Sequence, residues 1–426
     1  MTIAVFLFAL LGSMALGVPI AFALLACGVA LMIHLGTFDT QILAQNLLEG
    51  VNNYPLMAVP FFMLAGELMN AGGLSRRIVN VAEALVGHVR GGLGYVAILA
   101  CLIVASISGS AVADTAAVAA LLIPMMRSSG YNVPRASGLI AAGGIIAPII
   151  PPSIPIVVFG VAAQLSITKL FMAGIFPGIM MGVTLALTWW LCAKKEKNIT
   201  TGRQFSAQAF GRALIDGVWA LILPGVIIGG MKFGVFTPTE AAVVAVVYAL
   251  FVGLFVYREL KIPEIPRLML VATKTSSTVM FLVAAALVSA WLITIADIPA
   301  QTAELLEPFL GNKILLMAMI MILVFVVGTA LDLMPTVLIL TPILMPVVRQ
   351  AGIDPIYFGV MFIMCNAIGL LTPPVGTVLN VVASVAKLRL DDVIKGVWPF
   401  LLAQTILLFL FVLFPQLITV PASWFY

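Results

Sequence analysis

The sequence predicts an all-α polytopic membrane protein built as an inverted repeat, with two re-entrant helical hairpins and two proline-broken transmembrane helices. Three observations carry this reading. Of the 426 residues, 63% are apolar and 9% charged, more hydrocarbon than one soluble core can hide from water. Apolar runs of 18 or more residues recur along the chain, and a bilayer core needs about 20 such residues per helix. Finally, 36 Gly and 25 Pro are too many for plain spanning helices, which puts broken backbone at membrane depth. A soluble enzyme is excluded, and the length leaves room for about ten to twelve crossings.

In chain order, candidate spans lie at residues 2–34, 54–72, 136–163, 168–193, 217–231, 238–257, 270–296, 356–385 and 396–420. The first run is too long for one crossing and turns at Gly17-Val18-Pro19. It has no basic leader before Leu16, so it is expected to stay in the membrane rather than be cleaved. Two further stretches, 92–126 and 314–348, are interrupted in the middle by Ser106-Ile-Ser-Gly-Ser-Ala-Val-Ala-Asp114 and Gly328-Thr-Ala-Leu-Asp332-Leu-Met-Pro335. At 1.5 Å per residue each is too long for one helix and short for two crossings; both read as re-entrant hairpins. Cys27, Cys101, Cys192 and Cys365 sit in or at the ends of apolar segments without metal-ligand spacing and are expected to be packing residues.

Charge orients the topology. With the ends of the first hairpin on the cytoplasmic side and those of the second on the other, only Lys169, Lys232, Lys313 and Arg349 of the 21 basic residues fall outside, as the positive-inside rule requires. The rest, Lys197 and Arg203 of the central linker among them, fall inside.

A shift of 222 residues maps Pro124 to Pro346, Arg127 to Arg349, Gly130 to Gly352, Pro151 to Pro373, Pro152 to Pro374, Gly174 to Gly396 and Pro177 to Pro399 without a gap. Most of these matches are Pro or Gly, whose backbone roles fix geometry. Five crossings separate the hairpins in the span assignment, an odd number, so the halves are inverted. Inverted repeats with paired broken helices place a solute site at the bilayer midplane in secondary transporters.

The broken helices are Ala147-Pro-Ile-Ile-Pro-Pro-Ser-Ile-Pro155 and Thr372-Pro-Pro-Val-Gly-Thr-Val-Leu-Asn380. A helix-interior proline costs about 3 kcal/mol and leaves carbonyls without donors. Freed carbonyls with the hydroxyls of Ser153, Thr372 and Thr377 are hard oxygen ligands for a small alkali cation, while half-helix N-termini suit an anion. Four acids lie inside apolar segments: Glu67, Asp114, Glu240 and Asp332. An intramembrane carboxylate is a functional candidate by default. Asp114 and Asp332, at or just past the hairpin tips but out of register with one another, either cap a half-helix or help neutralise a bound cation. Glu240, in Thr237-Pro-Thr-Glu240, reads as a helix cap. There is no basic folded surface for nucleic acid and no phosphate-loop signature, so the energy source is expected to be an ion gradient or a partner.

The segments Ser108-Gly-Ser-Ala-Val-Ala-Asp-Thr-Ala-Ala117, Gly143-Gly-Ile-Ile-Ala-Pro-Ile-Ile-Pro-Pro-Ser153, Phe236-Thr-Pro-Thr-Glu-Ala241 and Gly369-Leu-Leu-Thr-Pro-Pro-Val-Gly376, in order over essentially the whole chain, resemble the large membrane subunit of the tripartite ATP-independent periplasmic (TRAP) transporters. The resemblance implies an elevator-type sodium symporter, not an enzyme, in the bacterial inner membrane. It also implies two partners: a small four-helix membrane subunit, and a periplasmic substrate-binding protein delivering a carboxylate-bearing solute. The wording is closest to the acidic-sugar branch, sialic acid or a diketo-sugar acid, with C4-dicarboxylates less favoured.

Carried over by position, one Na+ site uses Ser106, Ser108, Gly109 and Ser110 with Ile149, Pro151, Pro152 and Ser153. The other uses Gly328 and Asp332 with Thr372, Pro373, Pro374, Gly376 and Thr377. The solute is expected near Ser110, Asp114, Ser153, Thr377 and Asn380. In domain terms, residues 1–90 supply scaffold helices and an amphipathic arm, and 91–193 the first repeat; 194–313 supply central scaffold helices, and 314–426 the second repeat. Trp189, Trp190 and Trp219 are candidates for the small-subunit surface or for interfacial anchors. Two rival readings stand beside this one: an intramembrane aspartyl hydrolase using Asp114 and Asp332 as a dyad, against which neither acid has a Gly-x-Gly-Asp setting, and a stand-alone organic-anion exchanger.

Overall fold

The computed structural model describes residues 2–196 and 205–425; Lys197 and Arg203 lie outside the described residues. The chain opens with α1 (Thr2–Ala15) and α2 (Ile20–His34), parted where Gly17-Val18-Pro19 predicts a turn. α3 (Thr40–Val51), capped by the Asp39 carboxylate accepting from Gln41 N at 2.7 Å, has no counterpart among the predicted spans, because its apolar residues form a stripe rather than a run. α4 (Ala58–Ala71) turns by 64° into the amphipathic arm α5 (Leu74–Val86). The first hairpin is α6 (Gly92–Ser108) and α7 (Ala111–Ser128), followed by the halves of a broken helix, α8 (Val133–Gly144) and α9 (Ile154–Ala163), and by α10 (Ile167–Lys195).

The central part holds α11 (Ala207–Lys232), α12 (Pro238–Phe251), α13 (Ile265–Ile295) and a short α14 (Ile298–Leu306). The second hairpin is α15 (Lys313–Ala330) and α16 (Leu333–Gln350); α17 (Pro355–Gly369) and α18 (Thr377–Ala386) are the second broken helix, and α19 (Leu390–Leu413) and α20 (Gln416–Ser423) close the chain. The repeat register survives folding: α7 and α16 are both 18 residues long and begin 222 residues apart. Among the described residues eight helices are individually long and apolar enough to cross a membrane, nine with the bent pair. That is fewer than the length allows, because α1, α2 and the halves of the broken helices each fall below 18 residues.

Helix contacts are densest within two sets, which also meet where α5 packs on α6 and α13 on α16. α2, α3 and α4 pack on α13, α4 on α12, and α5 on α11. In the other group α8 packs on α19, α6 on α7, α15 on α17, and α10 on α6 and α19. The crossing of α8 on α19 is made by glycines: a Cβ at Gly138 would meet the Gly396 carbonyl carbon at 2.5 Å, and one at Gly396 the Pro134 oxygen at 2.0 Å. Small residues that let backbones touch are the adhesive of helices in lipid, where no hydrophobic drive holds them together. The four cysteines are buried and free, in keeping with packing roles.

Trp189 departs from its expected role. It is fully buried, donates through Nε1 to the Gly91 carbonyl at 2.9 Å and stacks between Tyr131 and Phe400, so it is a core residue and neither an interfacial anchor nor a docking surface. Trp190 and Trp219 are exposed. Glu240 closes a capping box with Thr237 at the start of α12, as its setting predicts.

Contacts of charged side chains join residues that the charge count assigns to one side. Arg77 of the arm pairs with Asp216 at 3.2 Å and Glu259 at 2.8 Å, and its guanidinium lies 3.7 Å over the Tyr257 ring. All of these are inside positions. Lys313 donates to the Gly352 carbonyl at 2.7 Å, both outside. Because the Arg77 side chain is 12% exposed while Asp216 is 55% exposed, the network contributes about 1 kcal/mol rather than the larger figure of a dry ion pair. Arg77→Ala should lower the thermal midpoint of the detergent-solubilised protein by a few degrees, with Arg77→Lys intermediate; an unchanged midpoint would remove this anchor from the account.

Candidate functional site

Each hairpin tip meets the break of its own half. At the first tip α6 ends at Ser108, Gly109 takes a left-handed φ of 64°, and Ser110 caps α7 by accepting from Ala113 N at 3.4 Å. A Cβ on Gly109 would meet the Pro152 oxygen at 2.2 Å and Ser153 Cα at 2.9 Å, so only glycine satisfies both the turn and the contact. The Ser108 hydroxyl donates to Asp114 Oδ1 and accepts from Ser110 N at 3.3 Å. Asp114 is 1% exposed, and its second oxygen, Oδ2, has no partner. Ser106 is turned back onto its own helix, donating to the Ile103 carbonyl at 2.6 Å.

The first break begins as α8 tightens: Ile146 and Ala147 donate to carbonyls three residues back, at 3.2 Å each, as unwinding helix ends do. Pro151 and Pro152, joined by a cis bond, then carry the chain to Ser153. Ser153 caps α9, accepting from Ile156 N at 3.3 Å and donating to the Pro148 carbonyl. Residues 141–160 are buried throughout. The Ile149 carbonyl lies against α10, where a Cβ at Gly174 would meet it at 2.3 Å; it is the Pro152 carbonyl that faces the tip.

The second half repeats the plan with different chemistry. Asp332, in register with Ser110, stands at the N-cap of α16 without capping it; exposed, it accepts instead from the Thr377 hydroxyl at 3.4 Å. α17 tightens in the same way, Thr372 N donating to the Gly369 carbonyl at 2.9 Å and its hydroxyl to the same oxygen at 2.6 Å. Pro373 and Pro374, again cis, lead to Gly376, left-handed at φ 44°. Val375 N reaches the hairpin, donating to the Thr329 carbonyl at 3.4 Å, and Asn380 Nδ2 donates to the Val375 carbonyl at 2.7 Å. Residues 373–375 are exposed, unlike their first-half counterparts.

One residue here was not singled out by sequence reasoning. Asn366, on α17, is completely buried; Nδ2 donates to the Leu333 carbonyl at 3.1 Å while Oδ1 has no partner and faces Gly328, where a Cβ would lie 2.9 Å from it. Its register mate is Gly144, and the register mate of Asp114 is Thr336. Each half therefore holds one buried, unpartnered side-chain oxygen beside its tip, contributed by the hairpin in the first and by the helix in the second. A lone Asn in the apolar run of α17 was the available signal.

Asp114 and Asp332 are not bonded to each other: they sit in different hairpins, and their hydrogen bonds go to Ser108 and Thr377. Glu67 of α4 lines a cavity of about 60 Å³ together with Asn70, Ser108, Ser110 and Thr275 of α13, between the first tip and the central helices.

Residues 6–417 match the family described as "Tripartite ATP-independent periplasmic transporter, DctM component". The chain belongs to the DctM family of tripartite ATP-independent periplasmic transporters. The 2,3-diketo-L-gulonate TRAP transporter large permease protein YiaN of Escherichia coli is 58% identical over the full length of both chains. The sialic acid TRAP transporter large permease protein SiaM of Vibrio cholerae is 37% identical over 96% of each. Among solved structures, the YdaH transporter of Alcanivorax borkumensis superimposes with a TM-score of 0.63 over 87% of each chain at 14% identity, a likeness of fold alone. The chain is thus a multi-pass membrane permease with all-helical, hairpin-containing architecture.

For this permease the Gly109 contact yields a direct test. Gly109→Val should insert in the membrane yet lose at least tenfold in transport, since a side chain there cannot coexist with the Pro152 carbonyl; wild-type uptake by this variant would show that tip and break do not meet as described.

Proposed function

We propose that this chain is the transport-catalysing subunit of a sodium-coupled, binding-protein-dependent importer of a sugar acid, working by an elevator motion in the bacterial inner membrane. The observation that carries it is the pair of buried, unpartnered oxygens, Asp114 Oδ2 and Asn366 Oδ1, each beside a hairpin tip and a proline break. An orphaned acceptor in the bilayer is costly, and two of them beside unwound backbone suit a small hard cation.

In this reading Ser108, Ser110, Asp114 and the carbonyls around Pro152 and Ser153 hold one Na+. Gly328, Asp332, Asn366, Thr372, Gly376 and Thr377 surround the other; Ser106 and the Ile149 carbonyl, turned elsewhere, serve as supports. Binding ties each tip to its break, and the solute carboxylate then finds the N-termini of α9 and α18, with Thr377 and Asn380 as donors. The group α6–α10 with α15–α19 moves as the transport unit against a scaffold of α1–α5 and α11–α13. Supporting an inward opening, a crevice of about 600 Å³ lies between α5, the base of the first hairpin at Met125 and Tyr131, and the start of α11. A small membrane subunit would cover the scaffold, and a periplasmic binding protein would deliver the solute. The full-length similarity to YiaN favours a diketo-sugar acid over sialic acid or a C4-dicarboxylate.

Proteoliposomes holding the permease and its small subunit should take up a diketo-sugar acid only with the binding protein present and an inward sodium gradient. Robust uptake at zero sodium under an imposed proton gradient would overturn the coupling. Asn366→Leu, near-isosteric and without the acceptor, should raise the sodium concentration for half-maximal uptake about tenfold while leaving the rate at saturating sodium within about twofold, the loss of one charge–dipole ligand being worth about 1–2 kcal/mol; an unchanged sodium response would remove Asn366 from the site.

A further inference from the structure

The repeat pair Arg127 and Arg349 does something that charge counting misses. Arg127 lies in the last turn of α7, at the base of the first hairpin, and its Nη2 donates to the Ala386 carbonyl at 2.6 Å. Ala386 is the last residue of α18, the half-helix of the second repeat. Arg349 lies in the last turn of α16, at the base of the second hairpin, and donates to the Ala163 carbonyl at 3.0 Å; Ala163 ends α9, the half-helix of the first repeat. The two contacts are crossed: each hairpin holds the other repeat's helix.

The helices they hold are alike. α9 and α18 are both 10 residues long and both end at a non-glycine residue in the left-handed conformation, Gln164 at φ 55° and Lys387 at φ 54°. Each begins at its proline break, so the end that faces the hairpin tip is positive and the far end negative. A helix this short and cut off from its other half has little stability of its own, and its left-handed cap bonds only Gly160 and Val161 in α9 and Ala383 and Ser384 in α18, so the terminal carbonyl still needs a donor. A guanidinium on the terminal carbonyl supplies both donor and opposite charge. The packing follows the same cross, α7 lying on α18 and α16 on α9.

We propose that Arg127 and Arg349 are reciprocal clasps, positioning residues that tie the base of each hairpin to the break-bearing half-helix of the opposite repeat, so that neither break is ordered without the other repeat's hairpin. Where the breaks are ion sites, which rests on the function proposed above, the clasps make the two sites respond together.

Hydrogen exchange of the full-length permease in lipid nanodiscs tests this, in choline chloride and in sodium chloride. In choline, Arg127→Gln should speed exchange about three- to tenfold in α18 and residues 370–376 while leaving α9 unchanged, and Arg349→Gln should do the reverse, in α9 and residues 145–153. Arg127→Lys and Arg349→Lys, which keep a donor and a charge, should restore protection in part and cover the case in which a glutamine variant fails to fold. Loosening confined to the variant's own repeat, uniform loosening, or none would overturn the clasp. In sodium, protection should vanish only at the break opposite the mutated hairpin. Wild-type protein showing no sodium protection at either break would overturn the sodium reading, while the crossed pattern in choline would still decide the clasp.

Discussion

Backbone hydrogen bonding in a solvent without hydrogen bonds is the constraint on which this permease is built. Lipid offers no substitute donor or acceptor, so a spanning chain is helical or its departures from helix are enclosed in protein. Among the described residues two such departures fall at Pro151-Pro152 and Pro373-Pro374; the first is buried in protein, while the second is open at residues 373–375 and is tied down from its flanks. Helices α8 and α17 tighten before the prolines, using donors three residues on. The tips approach from the other direction, Gly109 meeting the Pro152 oxygen and the Thr329 carbonyl taking the Val375 amide. The far ends of the short helices are closed by Arg127 and Arg349. Beside the tips, two side-chain oxygens stay unsatisfied, one of Asp114 and one of Asn366; Asn53, Arg135, Ser137 and Gln404 each hold a further unpartnered atom away from them.

Much of this was legible in the sequence, for identifiable reasons. Prolines and glycines write backbone geometry directly, so the hairpins, the breaks and the 222-residue repeat could be read from residues such as Gly130, Pro151, Gly352 and Pro373. Thr237-Pro-Thr-Glu240 is a local motif whose capping box depends on nothing distant. Side-chain partners are another matter. That Trp189 lies in the core under Gly91 rather than at the interface, that Ser106 bonds back to Ile103, and that Ile149 directs its carbonyl at α10 depend on helix rotation, which periodicity in an all-apolar segment does not encode. Asn366 was passed over because a neutral amide weighs less than a carboxylate when intramembrane polarity is scanned for function, although an unpaired amide oxygen is also costly in a dry core.

The amphipathic elements α3 and α5 show the same division. The arm α5 was visible as a polar, arginine-bearing segment after an apolar one, and it runs at 64° to α4, held by Arg77. α3 was invisible to a search for long apolar runs, since a helix that lies along a surface needs an apolar stripe and no more. α3 packs on α13 and α5 on α11, and α5 also reaches the first hairpin at α6. An inverted repeat constrains its helices to twofold-related partners; helices outside it are free to be specialised.

The repeat itself is not copied exactly, and the departures fall at the tips. Ser110 caps its helix, whereas Asp332 in the same register leaves the cap open and accepts from Thr377. By register Asp114 corresponds to Thr336, and Gly144 to Asn366. In the first half Thr115 fills the place a Cβ at Gly144 would take, at 1.6 Å, whereas in the second Asn366 itself reaches the hairpin; in both cases the first carbonyl of the returning arm finds a donor, Thr115 at 2.6 Å for Ala111 and Asn366 at 3.1 Å for Leu333. Backbone satisfaction is thus conserved across the pseudo-twofold while the source of the free oxygen is exchanged between carboxylate and amide. The first break is buried and the second exposed, so the two halves differ in access as well as in charge. A symmetric scaffold with asymmetric chemistry at its two tips is what a permease requires if one face is to be closed while the other is open.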